Sequence, residues 1–310
     1  MKHIKIFAPA TVANVACGFD IFGFALNNPG DEILLRLKEK RGIVISKITG
    51  DKGMLPEEPE KNTAAVSVMA LLDYIKSDKG FEIEIHKKMP LSSGLGSSAA
   101  SAAGALFGAN ILLGKPLEVK ELLPFAIESE RVACGTGHAD NVAPALLGGF
   151  VIIRSYNPLD IIKIPTLPEL YCTVIHPSIE INTEYARSIL KSEISLKDAV
   201  KQLGNVAGLV TGLFTGDYNL TGRSLEDVII EPFRAKLIPG FYDVKKAALM
   251  SGALGCSISG SGPSIFALCS SGETAEKAGK AMKEVFNKID IQSHVYISEI
   301  NEEGPKIIES

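Results

Sequence analysis

Apolar and polar residues alternate along several short segments in the first half of the chain, and this period-two pattern predicts half-buried strands. The predicted strands cover residues 4–7, 32–37, 43–48, 81–86 and 150–153. Elsewhere in this half, apolar residues recur at helical spacing or alanines follow one another, which predicts helices over residues 63–75, 98–113 and 121–133. Strands and helices are therefore intermingled in the first half of the chain.

Strands separated by longer helices are predicted for the second half. The predicted strands cover residues 171–175, 265–268 and 294–300, and the helices cover residues 183–190, 196–214, 244–250 and 274–287. This order favours an antiparallel sheet backed by helices. Prolines become more frequent between residues 158 and 168, so we place a boundary there and predict domains over residues 1–163 and 164–310.

The composition is that of an ordinary globular protein and argues against several functional classes. With 310 residues, 46% of them hydrophobic and 22% charged, the chain can bury two cores. Its net charge of −4 and isoelectric point near 5.8 provide no positive surface for nucleic acid or an anionic membrane. No apolar run approaches the roughly 20 residues that span a bilayer, and residues 1–6 are typical of a strand rather than a signal peptide.

Five cysteines, at positions 17, 134, 172, 256 and 269, are scattered along the chain and include no CxxC pair. An odd number at such spacing argues against a disulfide framework and against a zinc cluster, and it favours a reducing compartment. We therefore expect a cytoplasmic protein whose partners include neither nucleic acid nor a membrane.

The segment PLSSGLGSSAA, residues 90–100, lies between a predicted strand and the helix that begins near Ser98. Gly94 and Gly96 allow positive φ angles and a close approach of the backbone to a ligand. The following helix directs its free N–H groups and positive dipole end into the loop, which suits an anion and above all a polyphosphate. The segment matches neither a Walker A loop nor a dinucleotide-binding fingerprint. A tight turn before a small-residue helix packed on a sheet is the alternative.

Two further segments of unusual composition flank this loop in the sequence. APATVANVACGFD covers residues 8–20, and GCSISGSGPS covers residues 255–264. Each segment alone is typical of a loop with turn residues. In this order around PLSSGLGSSAA, however, they resemble the three motifs of the GHMP kinase superfamily, which phosphorylates galactose, homoserine, mevalonate and phosphomevalonate. The resemblance covers the whole length of the chain.

Many sugar and isoprenoid kinases of this superfamily begin with a Pro-Gly-Lys or Pro-Gly-Arg motif. PATVANVACGFD instead resembles the homoserine kinases, as do HADNVAPA at residues 138–145, NTEYAR at 182–187 and EPFRAKLIP at 231–239. This resemblance implies ATP-dependent phosphorylation of the L-homoserine hydroxyl, on the route to threonine. It also implies an α+β GHMP kinase fold, with an N-terminal domain like the second domain of ribosomal protein S5, a ferredoxin-like C-terminal domain, and a homodimer.

Two other functions stay open at this point. A GHMP kinase acting on mevalonate or a sugar is disfavoured by the first motif and by paired arginines that suit an amino-acid carboxylate. A non-catalytic nucleotide-binding protein of the same fold would be expected to lack Ser98, Glu130 or the substrate arginines, all of which this chain retains.

The resemblance assigns nucleotide binding to the glycine loop and to one residue that precedes it. These residues are Asn62, Pro90, Leu91, Ser92, Ser93, Gly94, Leu95, Gly96, Ser97 and Ser98. The backbone of residues 93–98 would wrap the phosphates, and Mg²⁺ would be held by the Ser98 hydroxyl and Glu130. From the residues alone, Asn62 equally suits the N-cap of the following helix, and a lone helical glutamate is usually solvated.

The resemblance also assigns the homoserine pocket. Its residues are Asn14, Asp20, His138, Arg187 and Arg234. The two arginines would bind the carboxylate, because a guanidinium fork matches its two oxygens, and Arg223 is a third candidate. The other three residues would meet the ammonium and hydroxyl groups. On spacing alone, Arg187 is typical of a surface residue near a helix end, and His138 of a structural histidine.

The expected chemistry follows from a difference within the superfamily. Mevalonate and galactose kinases have an aspartate near the γ-phosphate that is commonly treated as a base, whereas this chain has Asn141 there, next to Asp140. An amide cannot accept the hydroxyl proton. We therefore expect direct in-line attack with catalytic roles for Asn141 and for Asp20, which orients the hydroxyl. Residues 260–262 would brace the phosphate loop or form a plain β-turn.

Overall fold

The computed structural model of the chain describes residues 2–135 and 137–310. Its strands are β1 (His3–Ala13), β2 (Phe22–Lys38), β3 (Gly42–Thr49), β4 (Gly80–His86), β5 (Phe150–Tyr156), β6 (Leu159–Ile164), β7 (Tyr171–Pro177), β8 (Gly255–Ile258), β9 (Ile265–Cys269), β10 (Ser293–Glu299) and β11 (Lys306–Glu309). Its helices are α1 (Thr63–Tyr74), α2 (Ser97–Leu112), α3 (Leu123–Cys134), α4 (Ala139–Leu147), α5 (Thr183–Ser188), α6 (Leu196–Thr215), α7 (Tyr218–Ser224), α8 (Glu231–Arg234), α9 (Phe241–Met250) and α10 (Gly272–Lys288). The mixture is the predicted α+β arrangement.

The larger sheet has the strand order β11-β1-β2-β4-β3, with β5 beside β2 and β6 beside β5. Every pair is antiparallel except β3–β4. Along β4 the alternating residues Phe81, Ile83 and Ile85 are buried, as the period-two pattern predicts. α2 lies against β1 and β2, where a Cβ on Gly108 would come within 2.6 Å of Leu35. The absence of a side chain at Gly108 therefore allows α2 to pack closely against the sheet.

The smaller sheet has the order β10-β7-β9-β8 and is antiparallel throughout. α9 and α10 pack against it and bury Phe241, Met282 and Phe286 in a separate core. This confirms the antiparallel sheet backed by helices that was predicted for the second half. β11 returns to β1, so the last strand joins the larger sheet. The division predicted at residue 163 falls inside β6 and stays a prediction.

All the helices predicted from the pattern form, but the pattern did not predict α4, α7, α8, β6, β8 or β11. α4 contains Pro144, a residue that usually ends a helix because it lacks an N–H group. The carbonyl of Asp140, four residues earlier, lies instead against Gly23, which has no side chain to obstruct it. Among the described residues, none of the helices has the length and apolarity needed to traverse a bilayer.

Candidate active site

The glycine loop between β4 and α2 is held by the third motif. The Ser259 hydroxyl donates to the Gly94 carbonyl at 2.6 Å, and the Ser264 N–H donates to the Ser93 carbonyl at 3.2 Å. These contacts come from the turn between β8 and β9, in the second half of the chain. The loop therefore takes its shape from both halves of the protein.

Gly94 and Gly96 have φ angles of +78° and +65°. A Cβ on Gly94 would lie 2.4 Å from the Ser259 carbonyl oxygen, and one on Gly96 would lie 2.0 Å from the Thr11 hydroxyl oxygen. Gly96 is the N-cap of α2, so the free N–H groups of the first helical turn are at the loop. The Ser93 hydroxyl is buried and has no hydrogen-bond partner within the described residues. A phosphate bound at this helix start could provide one.

A buried ion pair that we did not predict lies beneath the first turn of α2. Lys87 and Asp31 form this pair, and both side chains are almost completely enclosed. Lys87 Nζ donates to the Ser97 carbonyl at 2.7 Å, and the Ser97 hydroxyl donates to Asp31 at 3.0 Å. Burial lowers the pKa of Lys87, while the Asp31 carboxylate opposes that shift. The pair fixes the helical turn that contains Ser98. In the sequence, the ion pair was indicated only by the position of Lys87 between a predicted strand and the glycine loop.

Glu130 of α3 lies beside Ser98, at the start of α2. It is buried, so its alternative interpretation as a solvated residue is wrong. Burial raises the pKa of Glu130 to about 6, against the effects of a hydrogen bond with Ser98 and of the Lys87 charge. Its Oε1 atom has no hydrogen-bond partner among the residues that the structure describes.

The side chains of Glu130 and Ser98 suit a small hard cation. A carboxylate oxygen and a neighbouring hydroxyl are the ligand types that Mg²⁺ prefers, and one carboxylate oxygen is still unsatisfied. The described part of the chain has no group of three or more His, Cys, Asp or Glu residues that could hold a metal by themselves. A cation beside Glu130 would therefore take further oxygens from phosphates or water.

Asn62 is the N-cap of α1. Its side chain accepts from the Ala64 N–H at 3.1 Å, and its amide donates to the Pro56 carbonyl at 2.9 Å. The next residue, Thr63, donates from its hydroxyl to the Ser98 carbonyl at 3.4 Å. The capping interpretation of Asn62 is therefore correct, and its nucleotide role stays a prediction for a residue close to the start of α2.

The charged residues predicted for the amino-acid substrate meet around Phe19 of the first motif. Arg187 donates to both carboxylate oxygens of Asp20, at 2.8 and 3.0 Å. The guanidinium carbons of Arg187 and Arg234 lie 5.2 and 5.1 Å from the centroid of the Phe19 ring, which are cation–π distances. Two cations and one carboxylate thus surround one ring, and the excess positive charge suits an anionic group of a ligand.

Arg234 and Asn14 share one acceptor. Both donate to the Gly260 carbonyl, at 2.9 and 2.8 Å, and the Asn14 side chain accepts from the Asp20 N–H at 3.0 Å. Burial, together with the neighbouring guanidinium, lowers the pKa of Arg234 to about 10, so the side chain stays charged near neutral pH. Arg223, the alternative candidate, is exposed in the last turn of α7.

His138 precedes α4, and its Nδ1 atom lies 3.6 Å from a carboxylate oxygen of Asp20. Burial lowers its pKa, although the Asp20 charge opposes that shift, so the ring is neutral near pH 7. The Nε2 atom is buried and has no partner within the described ranges. This nitrogen is therefore available to a polar group of a ligand.

Asn141, in the first turn of α4, lies at the glycine loop. The Thr11 hydroxyl donates to its side-chain oxygen at 2.6 Å, and a Cβ on Gly96 would lie 2.7 Å from the same oxygen. The preceding residue, Asp140, is buried, and burial together with the Asp20 charge raises its pKa to about 7. The structure thus brings Asn141 to the loop and a buried acid next to it.

On its own, the first motif is typical of a loop with turn residues, but in the structure it is a strand up to Ala13 and becomes a turn only after that, with a strained backbone. Asn14, Val15, Ala16 and Asp20 have φ angles of 70°, 40°, 59° and 60°. Residues other than glycine rarely adopt such angles, and a β-branched valine does so least readily. Strain of this kind persists where neighbouring contacts fix the backbone, and it is frequent at functional sites.

Comparison with known proteins finds similarity along the whole chain. The family model of the GHMP kinases N terminal domain matches residues 62–149, and that of the GHMP kinases C terminal domain matches residues 197–288. A homoserine kinase of Chlorobium phaeobacteroides is 57% identical over 99% of this chain and 100% of its own length. The crystal structure of a homoserine kinase from Cytophaga hutchinsonii has a TM-score of 0.97 and 59% identity, covering 99% of this chain and 98% of that one. A mevalonate kinase from L. major has a TM-score of 0.71 with 17% identity over 96% of both chains, which indicates the fold alone.

Proposed function

The chain belongs to the GHMP kinase family, and we propose that it acts as a homoserine kinase, which transfers the γ-phosphoryl group of ATP to the hydroxyl of L-homoserine. Identity above one half with homoserine kinases over nearly all of the chain supports this function. The structural observation that carries it is the position of Gly260. Its carbonyl accepts from Arg234 and Asn14, and the preceding residue, Ser259, bonds Gly94. One turn thus joins a pocket for an amino acid to a loop for phosphates.

Homoserine is a zwitterion with one reactive hydroxyl, and the pocket offers groups complementary to it. Arg187 and Arg234 bind the carboxylate, while Asp20, Asn14 and His138 serve the ammonium and hydroxyl groups. Arg187 and Asp20 neutralise each other in the structure. When a zwitterion binds, its carboxylate can pair with Arg187 and its ammonium group with Asp20. Neither side chain is then left with a buried, uncompensated charge.

The phosphoryl transfer proceeds by direct attack of the hydroxyl. Asn141 lies at the glycine loop, where its amide can orient a group but cannot take a proton. Asp20 orients the hydroxyl, and the proton leaves late, to a phosphate oxygen or to water. The N–H groups at the start of α2 stabilise the charge on the phosphoryl group. Positioning and charge neutralisation therefore supply most of the rate.

We propose that Ser98 and Glu130 hold the Mg²⁺ that accompanies ATP. The unsatisfied Oε1 atom of buried Glu130 and the adjacent hydroxyl of Ser98 support this assignment. When bound, the ion would neutralise charge between the β- and γ-phosphates. Glu130 and Ser98 would keep it at the first turn of α2, beneath which Lys87 is paired with Asp31.

We also propose that the protein is a homodimer joined through α6. The exposed apolar residues of this helix are Leu196 (80% exposed), Val200 (62%), Leu203 (67%) and Phe214 (58%). A Cβ on Gly204, between them, would meet nothing within 4 Å, so this helix-weakening glycine has no packing role inside one protomer. An antiparallel α6 of a second copy would cover the stripe and approach closest at Gly204.

Light scattering after size-exclusion chromatography tests the dimer. The parent protein should have twice the chain mass of 33.0 kDa, and Leu203→Glu should have the mass of one chain. Glu273→Gln, on the surface of α10, is a control that should leave the dimer intact. A monomeric parent protein would contradict the dimer but would leave the proposed activity standing.

A cytoplasmic location is proposed from the chemistry of the cysteines. The four whose side chains the structure describes, Cys17, Cys172, Cys256 and Cys269, are free and buried. Burial raises the pKa of Cys17 and of Cys269 to about 12, so these thiols stay protonated and unreactive. Free thiols are the normal state in a reducing compartment.

A coupled assay of ADP release tests the proposed activity. ATP and Mg²⁺ are supplied with L-homoserine, mevalonate, galactose or L-serine in turn, and turnover should be fastest by far with L-homoserine. Turnover of mevalonate or galactose without turnover of homoserine would contradict the substrate. ATP binding with no ADP release from any of the four would instead favour a non-catalytic nucleotide-binding protein.

A further inference from the structure

Gln202 of α6 connects the strained turn of the first motif to the segment that leads to Arg234. Its side-chain amide donates to the Cys17 carbonyl at 2.9 Å and to an oxygen of Asp227 at 3.0 Å. Its side-chain oxygen accepts from the Val228 N–H at 3.0 Å. The residue is buried, although the opposite face of α6 is exposed. Both polar atoms of the amide are thus engaged, each at a fixed position.

On one side, Gln202 acts on the segment before α8. Asp227 accepts from the N–H groups of Ile229 and Ile230, at 2.9 and 3.0 Å, and from that of Glu231 at 2.9 Å. These bonds shape the chain where α8 begins, and Arg234 is the last residue of that short helix. A shift of Asp227 would therefore move the guanidinium that the pocket offers to a carboxylate.

On the other side, Gln202 acts on the middle of the strained turn. Cys17 follows Ala16, which has a positive φ, and precedes Phe19 and Asp20 of the pocket. The start of the turn is held separately, through the bond from Asn14 to the Gly260 carbonyl. The bond from Gln202 attaches α6 to the turn between Asn14 and Asp20. A backbone with several positive φ angles depends on such contacts to keep its shape.

We propose that Gln202 is a positioning residue that sets the width of the homoserine pocket. By bonding Cys17 and Asp227 with one amide, it fixes the wall that contains Asp20 relative to the wall that contains Arg234. The pocket thereby matches the length of homoserine and discriminates against L-serine, which is one methylene shorter. This inference rests on the proposed function, and it assigns specificity to a residue that lies outside the three motifs.

Kinetics of Gln202→Met test the proposal, since methionine has a similar size but cannot donate to Cys17 or Asp227. The KM for L-homoserine should rise about ten-fold, the change expected for one lost hydrogen-bonded constraint, while the KM for ATP stays within about two-fold. The ratio of kcat/KM for homoserine to that for serine should fall. Asn205→Ala is the matched control, because Asn205 joins α6 to the Glu226 carbonyl of the same segment without touching the turn. Its kinetic constants should equal those of the parent.

The outcomes separate this inference from the proposed function. A parent protein without homoserine turnover would refute the function and the inference together. A parent with homoserine turnover, and a Gln202→Met variant with unchanged homoserine KM and unchanged discrimination, would refute the inference alone, even if the variant melted at a lower temperature. If Gln202→Met gives no soluble protein, Gln202→Asn, which keeps the amide on a shorter side chain, should show the same selective rise in homoserine KM, and its failure to do so would overturn the inference.

Discussion

Arg187 and Asp20 form a two-point ion pair between α5 and the first motif, with N–O distances of 2.8 and 3.0 Å. Their side chains are 37% and 24% exposed, so the pair is open to a ligand but partly shielded from water. It also links the two halves of the chain, since the residues are 167 positions apart in the sequence. The proposed recognition of a substrate carboxylate can therefore be tested by substituting Arg187 alone.

Arg187→Leu should weaken homoserine binding and leave ATP binding nearly unchanged. A charge-assisted contact of an arginine with a carboxylate is worth about 1.5–3 kcal/mol, or roughly one to two decades in affinity. Arg187→Lys should restore only part of this, because an ammonium lacks the planar fork. Initial-rate kinetics with each substrate varied in turn measure both KM values.

Arg234→Leu should behave in the same way as Arg187→Leu. Arg223→Leu is the matched control, since Arg223 is exposed on α7 and its loss should leave the homoserine KM at the parental value. If the Arg187 and Arg234 variants bound homoserine normally and lost ATP affinity, the two arginines would be phosphate ligands, and the assignment of the pocket would be wrong.

Glu130→Gln should lower kcat and raise the Mg²⁺ concentration needed for half-maximal activity. The amide keeps the shape of the side chain but removes the negative charge that attracts the ion. Glu128→Gln on the same helix is the control, because Glu128 is exposed and paired with Arg131. Titration of activity with Mg²⁺ at saturating ATP compares the variants. Equal Mg²⁺ dependence of Glu130→Gln and the parent would exclude Glu130 as a ligand.

Gly94→Ala should prevent saturable ATP binding. A Cβ at this position would lie 2.4 Å from the Ser259 carbonyl oxygen, and φ is +78°. Gly114→Ala is the control that separates the strain of a positive φ from a steric clash. Its φ is +84°, but its Cβ would meet nothing within 4 Å. Both variants should lose about 1–2 kcal/mol of stability from the backbone angle alone. Only Gly94→Ala should also lose ATP affinity, measured by calorimetry, and normal affinity in that variant would show that the third motif does not shape the loop.

Asp140 should make the protein less stable as the pH rises from about 4 to about 7. Because burial raises its pKa from 3.8 to about 7, the folded state retains a proton that the unfolded state releases over this range. The stabilisation is complete below pH 3.8 and is lost as the pH approaches 7, by at most about 1.4 kcal/mol per pH unit. Asp140→Asn removes this titration.

Urea unfolding of the parent and of Asp140→Asn at several pH values between about 5 and about 8 measures the effect. The free energy of unfolding of the variant minus that of the parent should increase with pH up to about pH 7 and stay constant above it. A constant difference between the two proteins over the whole range would show that Asp140 is ionised in the folded state throughout.

The fold was predictable wherever side chains repeat with the period of a strand or a helix. The strand predicted over residues 81–86 and the helix predicted over 196–214 differ from β4 and α6 by one residue. The end of β1 was not predictable, because Thr11 to Ala13 become a strand by pairing with Gly23 to Ala25 of β2, beyond an irregularity in register. α4 was not predictable either, since Pro144 ordinarily ends a helix and is tolerated here through a packing contact.

For the candidate site, the first motif and the NTEYAR segment at residues 182–187 sufficed to predict Asp20 and Arg187, which the fold brings together. They did not predict the groups that hold those residues in place. Gln202 bonds Cys17 across 185 positions, and Ser97 bonds Asp31 across 66 positions. No local pattern marks a glutamine on an amphipathic helix or an aspartate in a strand as part of such a pair, because their partners are defined only when the sheet and helices have assembled.

The bond between Ser259 and Gly94 also determines when a nucleotide site can exist during synthesis. Gly94 is translated 165 residues before Ser259, so a nascent chain can contain β4 and α2 while the Gly94 carbonyl still lacks its bond from Ser259. Such a chain should not bind ATP. Nucleotide affinity is then acquired only by molecules whose two halves have docked, and cellular ATP stabilises these finished molecules selectively, by mass action, over truncated or half-folded ones.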